Sequence, residues 1–299
     1  MSNQAHPGWR LLAFLLLFFF LAGLASAALA ALGLAPAAEL PKGSELAEQA
    51  PVFLLMLLCA ALTNFLIGKS LGPCLSWSSD FAPARLLGHG CRGAALGLAL
   101  AGVVGALLGV SGRATYAPGE PPAPLVWAGL LATLLLSAAL EELLFRGVLL
   151  RLLDQGLGRG WAVAFSALAF GGIHAARASS GMELALISLV STTLAGLLLG
   201  LAFVRCGTLW LPMGLHAAWN LGLGPLLGLP VSGIQFANAL LSPQLHAPDW
   251  FAGGSYGPEG GVAGILAILL GCVAMLRLPS LLGLPLAPWR GPDQLSLQP

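Results

Sequence analysis

Three short clusters of polar side chains interrupt apolar stretches of this sequence: Glu141-Glu142-Leu143-Leu144-Phe145-Arg146, Phe170-Gly171-Gly172-Ile173-His174 and His216-Ala217-Ala218-Trp219-Asn220. Carboxylate, imidazole and amide together can run a hydrolysis. An unpaired carboxylate in a partly hydrated apolar pocket is suited to take a proton from water. An imidazole and an amide can donate hydrogen bonds to a developing oxyanion. Spacing assigns the faces. Glu142 and Arg146 are i and i+4, neighbours on one helix face and able to form an ion pair, whereas Glu141 is turned about 100° away. One carboxylate is thus neutralised while the other, Glu141, faces a cavity. His216 and Asn220 are also i and i+4 and point into one space. His174 can hydrogen-bond a water that Glu141 also holds.

Those residues must be positioned by helices in a membrane. Of 299 residues 58% are hydrophobic and 8% charged, with a mean hydropathy of +0.89, against about 25% charged in ordinary soluble domains. A soluble globular protein is excluded. With 13 Lys plus Arg against 12 Asp plus Glu, no basic surface exists to bind nucleic acid through counterion release, so nucleic acid is not an expected partner. The fold class expected is all-α, a polytopic membrane protein of about eight transmembrane helices, at 11–34, 51–71, 91–110, 125–153, 161–176, 184–204, 209–229 and 262–278. The first span resembles a secretory signal, because Arg10 precedes it and Ala25-Ser26-Ala27 looks cleavable. Its apolar run exceeds the 7 to 15 residues of a signal core, so it is read as an uncleaved span.

Depth is the test of a shared site. At 1.5 Å per residue from the cytoplasmic end of each span, Glu141 lies about 18 Å deep, His174 about 20 Å, and His216 and Asn220 about 10 to 17 Å. Charges in a membrane cost about 2.5 to 3.5 kcal/mol each at a helix centre, and they mark functional cavities. Three helices that bring costly groups to overlapping depths therefore imply one site. Orientation follows from the cations. With the N-terminus inside, Arg10, Lys69, Arg85, Arg92, Arg151, Arg159, Arg205, Arg277 and Arg290 are cytoplasmic, and only Lys42, Arg113 and Arg177 are external. Both termini are then cytoplasmic, in the plasma membrane of a bacterium. Of the carboxylates, Glu39, Glu45, Glu48, Glu120, Glu183, Asp249 and Glu259 fall outside. Cys59, Cys74, Cys91, Cys206 and Cys272 have no C-x-x-C spacing and read as reduced structural residues. The stretch 228–260 reads as an external loop that re-enters the membrane in part. The whole chain, 1–299, reads as a single membrane domain with a motif-bearing core at 125–223.

Glu-Glu-x-x-x-Arg, Phe-x-x-x-His and His-x-x-x-Asn, in this order on successive membrane helices, resemble the motifs of the CAAX protease and bacteriocin-processing family. These are intramembrane glutamate proteases that include the eukaryotic type 2 CAAX prenyl endopeptidase. The resemblance implies Glu141 as the water-activating base assisted by His174, His216 and Asn220 as the oxyanion site, and Glu142 with Arg146 as structural support. It implies no cofactor. The partners it implies are protein or peptide substrates, lipidated or not, in contact with membrane lipid; eukaryotic relatives trim the last three residues of prenylated proteins.

Taken singly, each cluster also has a bland reading. Glu142 with Arg146 is a helix staple, His174 a packing residue beside two glycines, and His216 with Asn220 interhelical glue. His6, His89 and His246 lie in termini or loops. Trp127, Trp161 and Trp210 read as interfacial anchors, and Trp219, one turn from His216, as a pocket residue. Three function classes remain open: an intramembrane glutamate endopeptidase, a zinc metalloprotease using the same Glu and His residues, and a transporter or immunity protein in which buried groups relay protons or dock a partner. Against zinc stands the absence of H-E-x-x-H.

Overall fold

The computed structural model describes residues 6–31, 47–68, 85–175, 182–236, 238–246 and 249–277. Glu39, Lys42, Glu45, Lys69, Cys74, Arg177 and Arg290, and the span ends expected at 34, 71, 176 and 278, lie outside the described residues. Long apolar runs in lipid must satisfy their backbone internally, which forces helices. The elements are α1 (Pro7–Ala31), α2 (Ala50–Gly68), α3 (Cys91–Val110, led in by a wide turn at Leu86–Gly90), α4 (Pro124–Leu157), α5 (Arg159–Ala175), α6 (Met182–Cys206), α7 (Trp210–Leu221) and α8 (Val262–Arg277). Within α4 the segment Leu143–Leu150 is π-helical, and α7 runs on as a π-helical turn, Gly222–Leu226. Such wide turns recur near functional sites.

Helices occur at each of the eight expected places, but the expectation of eight spans is only partly met. Among the described residues five helices are long and apolar enough to cross a membrane: Pro7–Ala31, Ala50–Ile67, Leu86–Val110, Pro124–Leu157 and Met182–Cys206. The others are shorter, with 17 residues in α5, 12 in α7 and 16 in α8. They pack against α3, α4 and α6 on one side, while α5 and α8 keep an exposed apolar face that includes Leu168, Ile173, Leu266 and Val273.

Two apolar cores result. One joins α3, α6, α7 and α8 through Leu100, Val104, Leu198, Leu215, Leu223 and Ala267. The other joins α1 and α2 to the later part of α4 through Phe14, Phe18, Ala60, Leu143 and Leu150. The buried Arg10 of α1 also donates from Nη1 to Gln155 Oε1 at 3.0 Å. The opposite face of α1 presents Leu16, Phe19, Phe20 and Leu24 outward, as a lipid-facing helix should. Glycines set the closest approaches. A Cβ on Gly93 or Gly97 would strike the carbonyl oxygens of Leu211 and Leu215, and one on Gly196 would meet the Ala167 backbone. Small residues thus let α3 seat against α7 and α5 against α6.

The expected loop at 228–260 is more structured than its Pro and Gly content suggested. Leu241–Leu245 forms strand β2, antiparallel to β1 (Ala114–Pro118), an unanticipated two-stranded sheet with Ala114 opposite Leu245. A tight turn follows Val231, whose backbone exchanges both hydrogen bonds with Ile234. The segment then returns along α6 and leads into α8. Among the described residues Cys59, Cys206 and Cys272 are buried and Cys91 exposed, all as free thiols.

Candidate active site

The i, i+4 spacing on α4 does what helical geometry predicts. Arg146 Nη1 meets Glu142 Oε1 at 2.9 Å, with both side chains wholly buried. The guanidinium also donates from Nη2 to the Gly196 carbonyl at 2.9 Å, tying α4 to α6, and stands 4.7 Å over the Phe170 ring. A buried charge needs such partners on every side. Glu141, one residue earlier, turns toward a different space and keeps about a quarter of its side chain, 27%, accessible.

Two histidines from two other helices meet Glu141 there. His174 Nε2 lies 3.5 Å and His216 Nε2 3.8 Å from Glu141 Oε2. Their outer nitrogens are fixed by different partners. His174 Nδ1 is 2.9 Å from the Phe170 carbonyl oxygen, which can only accept, so Nδ1 carries the proton and Nε2 of the neutral ring offers a lone pair. His216 Nδ1 is 2.9 Å from Glu142 Oε1, the oxygen that also takes Arg146. Phe170 fills the space between, stacked on His174 at 4.2 Å and edge-on to His216 at 5.9 Å. Ser166 Oγ bonds the Phe145 carbonyl at 3.0 Å and Thr192 Oγ1 that of Gly171 at 3.2 Å, locking α5 between α4 and α6.

Asn220 is half-buried, and its Oδ1 is shielded from solvent with no hydrogen-bond partner among the described residues. The structure therefore brings Glu141, His174 and His216 together, sets Glu142 and Arg146 behind His216, and leaves the amide of Asn220 uncommitted one turn along α7.

Sequence reasoning missed two features. The link from His216 to Glu142 was not foreseen, because it depends on how α7 crosses α4. The second is Glu259, expected as an external loop carboxylate. It lines the cavity bounded by Phe170, His174, Thr192, His216 and Trp219, and accepts a 2.9 Å bond from Trp219 Nε1. Its only sequence signal was its isolation as a carboxylate within Gly-Pro-Glu-Gly-Gly. Trp219 does line the pocket, as expected, whereas Trp161 is 65% exposed, in keeping with an interfacial anchor. A separate apolar cleft of about 580 Å³ runs beside α7, lined by Leu131, Leu135, Ala139, Trp210, Met213 and Ala217.

With this geometry in view, one comparison with known families finds a match. Residues 123–222 match the type II CAAX prenyl endopeptidase Rce1-like family. The match covers a third of the chain, and all the residues of the three clusters fall inside it. The Rce1-like region spans α4 to α7, the four helices that build the site, and it bears out the resemblance to the CAAX protease family drawn from the motifs. No curated protein and no solved structure matches the chain. The match supports likeness to a CAAX-type protease family over this region, and the apolar helices support an integral membrane protein.

Proposed function

We propose that the protein is an intramembrane glutamate endopeptidase of CAAX type. The observation that carries the reading is the convergence of His174 Nε2 and His216 Nε2 on Glu141 Oε2, at 3.5 and 3.8 Å, from three different helices. A water placed between Glu141 and His174 donates one hydrogen bond to each. Glu141 takes its proton while the water oxygen bonds to the scissile carbonyl carbon. The carbonyl oxygen becomes an oxyanion. It accepts hydrogen bonds from the Asn220 side-chain amide and from His216 Nε2, which donates when the imidazole carries both protons and Glu142 holds Nδ1–H. Collapse breaks the C–N bond, and the proton on Glu141 passes to the leaving amine, which restores the carboxylate.

In this reading α5, α7 and α8 join the five longer helices as crossing segments of one membrane domain, both termini are cytoplasmic, and the membrane is the bacterial plasma membrane. The cleft between α3, α4 and α7 suits the apolar chain of a lipidated substrate, because its lining is almost wholly apolar and includes Ala139 and Ala217, neighbours in sequence of the site residues. The test is cleavage by the purified full-length protein in detergent. A farnesylated C-terminal reporter peptide and its unmodified counterpart are offered, and release of the C-terminal fragment is followed by mass spectrometry. Cleavage of either peptide supports the protease reading. Failure on both, with folded protein, contradicts it.

A further inference from the structure

The segment 228–261 touches both histidine-bearing helices. Tyr256 Oη donates to the His174 carbonyl oxygen at 3.4 Å, at the end of α5. Glu259 accepts from Trp219 Nε1 at 2.9 Å on α7, and with its second oxygen from both the backbone N–H and the hydroxyl of Ser232, each at 2.8 Å. Three donors on one carboxylate is an arrangement built for an anion.

Ser232 itself is unusual. With φ of 49° it is the one residue other than glycine with positive φ among the described residues, and Gly233 follows at 86°. Two successive positive φ values between Val231 and Ile234 make a type I′ turn, whose first position costs a serine free energy that glycine or asparagine would avoid. The strained residue is the one that aims its N–H and hydroxyl at Glu259. The turn is tied back to the same segment, since Gly233 N donates to the Tyr256 carbonyl at 3.0 Å. Close backbone contacts stiffen the whole. A Cβ on Gly257 would collide with the Pro230 carbonyl, and one on Gly260 would crowd Ser188 Oγ and the Tyr256 ring.

Trp219 is three residues after His216 and immediately before Asn220. We propose that Glu259 is a positioning residue: clamped by Ser232, it holds the Trp219 indole and so fixes the rotation of α7 that sets His216 and Asn220 against the reacting carbonyl. This rests on the protease reading for its chemistry, but the clamp itself is a property of the fold. Glu259 touches no reacting atom and acts through Trp219.

The experiment is a double-mutant cycle on kcat in the full-length protein with the farnesylated reporter. Glu259→Gln keeps the shape but sets an amide N–H₂ against donors that need an acceptor, and Trp219→Phe removes the indole N–H together with part of the ring. Each single variant should lose about 10- to 100-fold in kcat with KM little changed, as expected for a misplaced catalytic group. The double variant should lose no more than the worse single one, because both break one contact. Gln235→Ala, which removes the exposed bond to the Ser255 carbonyl in the same segment, should leave kcat unchanged. A plug that serves stability alone would lower the melting temperature of the single variants but leave kcat near wild type, and multiplicative losses would mean separate roles; either result overturns the proposal. Hydrogen exchange of the His216–Leu221 amides gives a readout independent of cleavage. Glu259→Gln should speed exchange there and not in α3, and unchanged exchange overturns the clamp even where the wild-type protein cleaves no peptide and the protease reading fails.

Discussion

His216 Nδ1 stands 2.9 Å from Glu142 Oε1, and Arg146 Nη1 stands 2.9 Å from that same oxygen. One carboxylate oxygen thus joins the ion pair within α4 to the imidazole of α7. Glu142 is therefore more than the structural counter-ion of Arg146. It fixes which nitrogen of His216 faces Glu141, the second-layer control that sets tautomer and ring orientation in many histidine sites.

Arg146→Ala is expected to cost both stability and activity. It leaves Glu142 as a buried charge with its main partner gone, a loss of about 3 to 5 kcal/mol, and it frees the oxygen that holds His216. Thermal unfolding in detergent should show a lowered Tm together with lowered cleavage. An unchanged Tm with selective loss of activity would move Arg146 into the catalytic set.

Asn220→Ala should slow cleavage by about 10² to 10³ without abolishing it, the effect of removing one oxyanion donor. KM should change little, because the amide binds charge that develops only in the transition state. Steady-state kinetics on the reporter peptide checks this, and a variant at wild-type rate would remove Asn220 from the oxyanion site.

Much of this geometry was legible in the sequence. The i, i+4 rule paired Glu142 with Arg146, the 100° step turned Glu141 away from them, and depth along each helix placed His174 and His216 at a common level. What escaped were contacts between elements distant in sequence. The bond from His216 to Glu142 depends on how α7 lies against α4, and that is set partly by Gly93 and Gly97, which admit the α7 backbone close to α3. Nothing local to His216 encodes it. Glu259 escaped for the same reason, since a carboxylate in a Gly-rich segment reads as solvated until the segment is seen folded onto α6 and α7. The pairing of β1 with β2 likewise joins two five-residue strands far apart in the chain. Span number was not fixed by apolar length, because α5, α7 and α8 are shorter than the five long helices and pack against α3, α4 and α6.

Orientation is checked by labelling introduced cysteines in a Cys74→Ser, Cys91→Ser background. Leu157, the exposed last residue of α4, should be reached as Leu157→Cys from the cytoplasmic side only. Ser111→Cys, in the exposed turn after α3, should be reached from the outside only. The reverse pattern would invert the topology, and both sites on one side would break the crossing of α4.

Prolonged treatment with a strong chelator should leave cleavage intact, and elemental analysis should find no stoichiometric zinc. A zinc-activated water would be lost on chelation, whereas a carboxylate base needs no metal. Chelator-sensitive activity restored by zinc would favour the metalloprotease.

The most direct test of the central claim, that Glu141 activates the attacking water, is the cleavage rate of purified Glu141→Gln against wild type on the same reporter peptide. The amide keeps the side chain's shape but cannot take the proton. The prediction is a folded protein with wild-type Tm and no detectable hydrolysis; a folded variant that cleaves near the wild-type rate would contradict the mechanism.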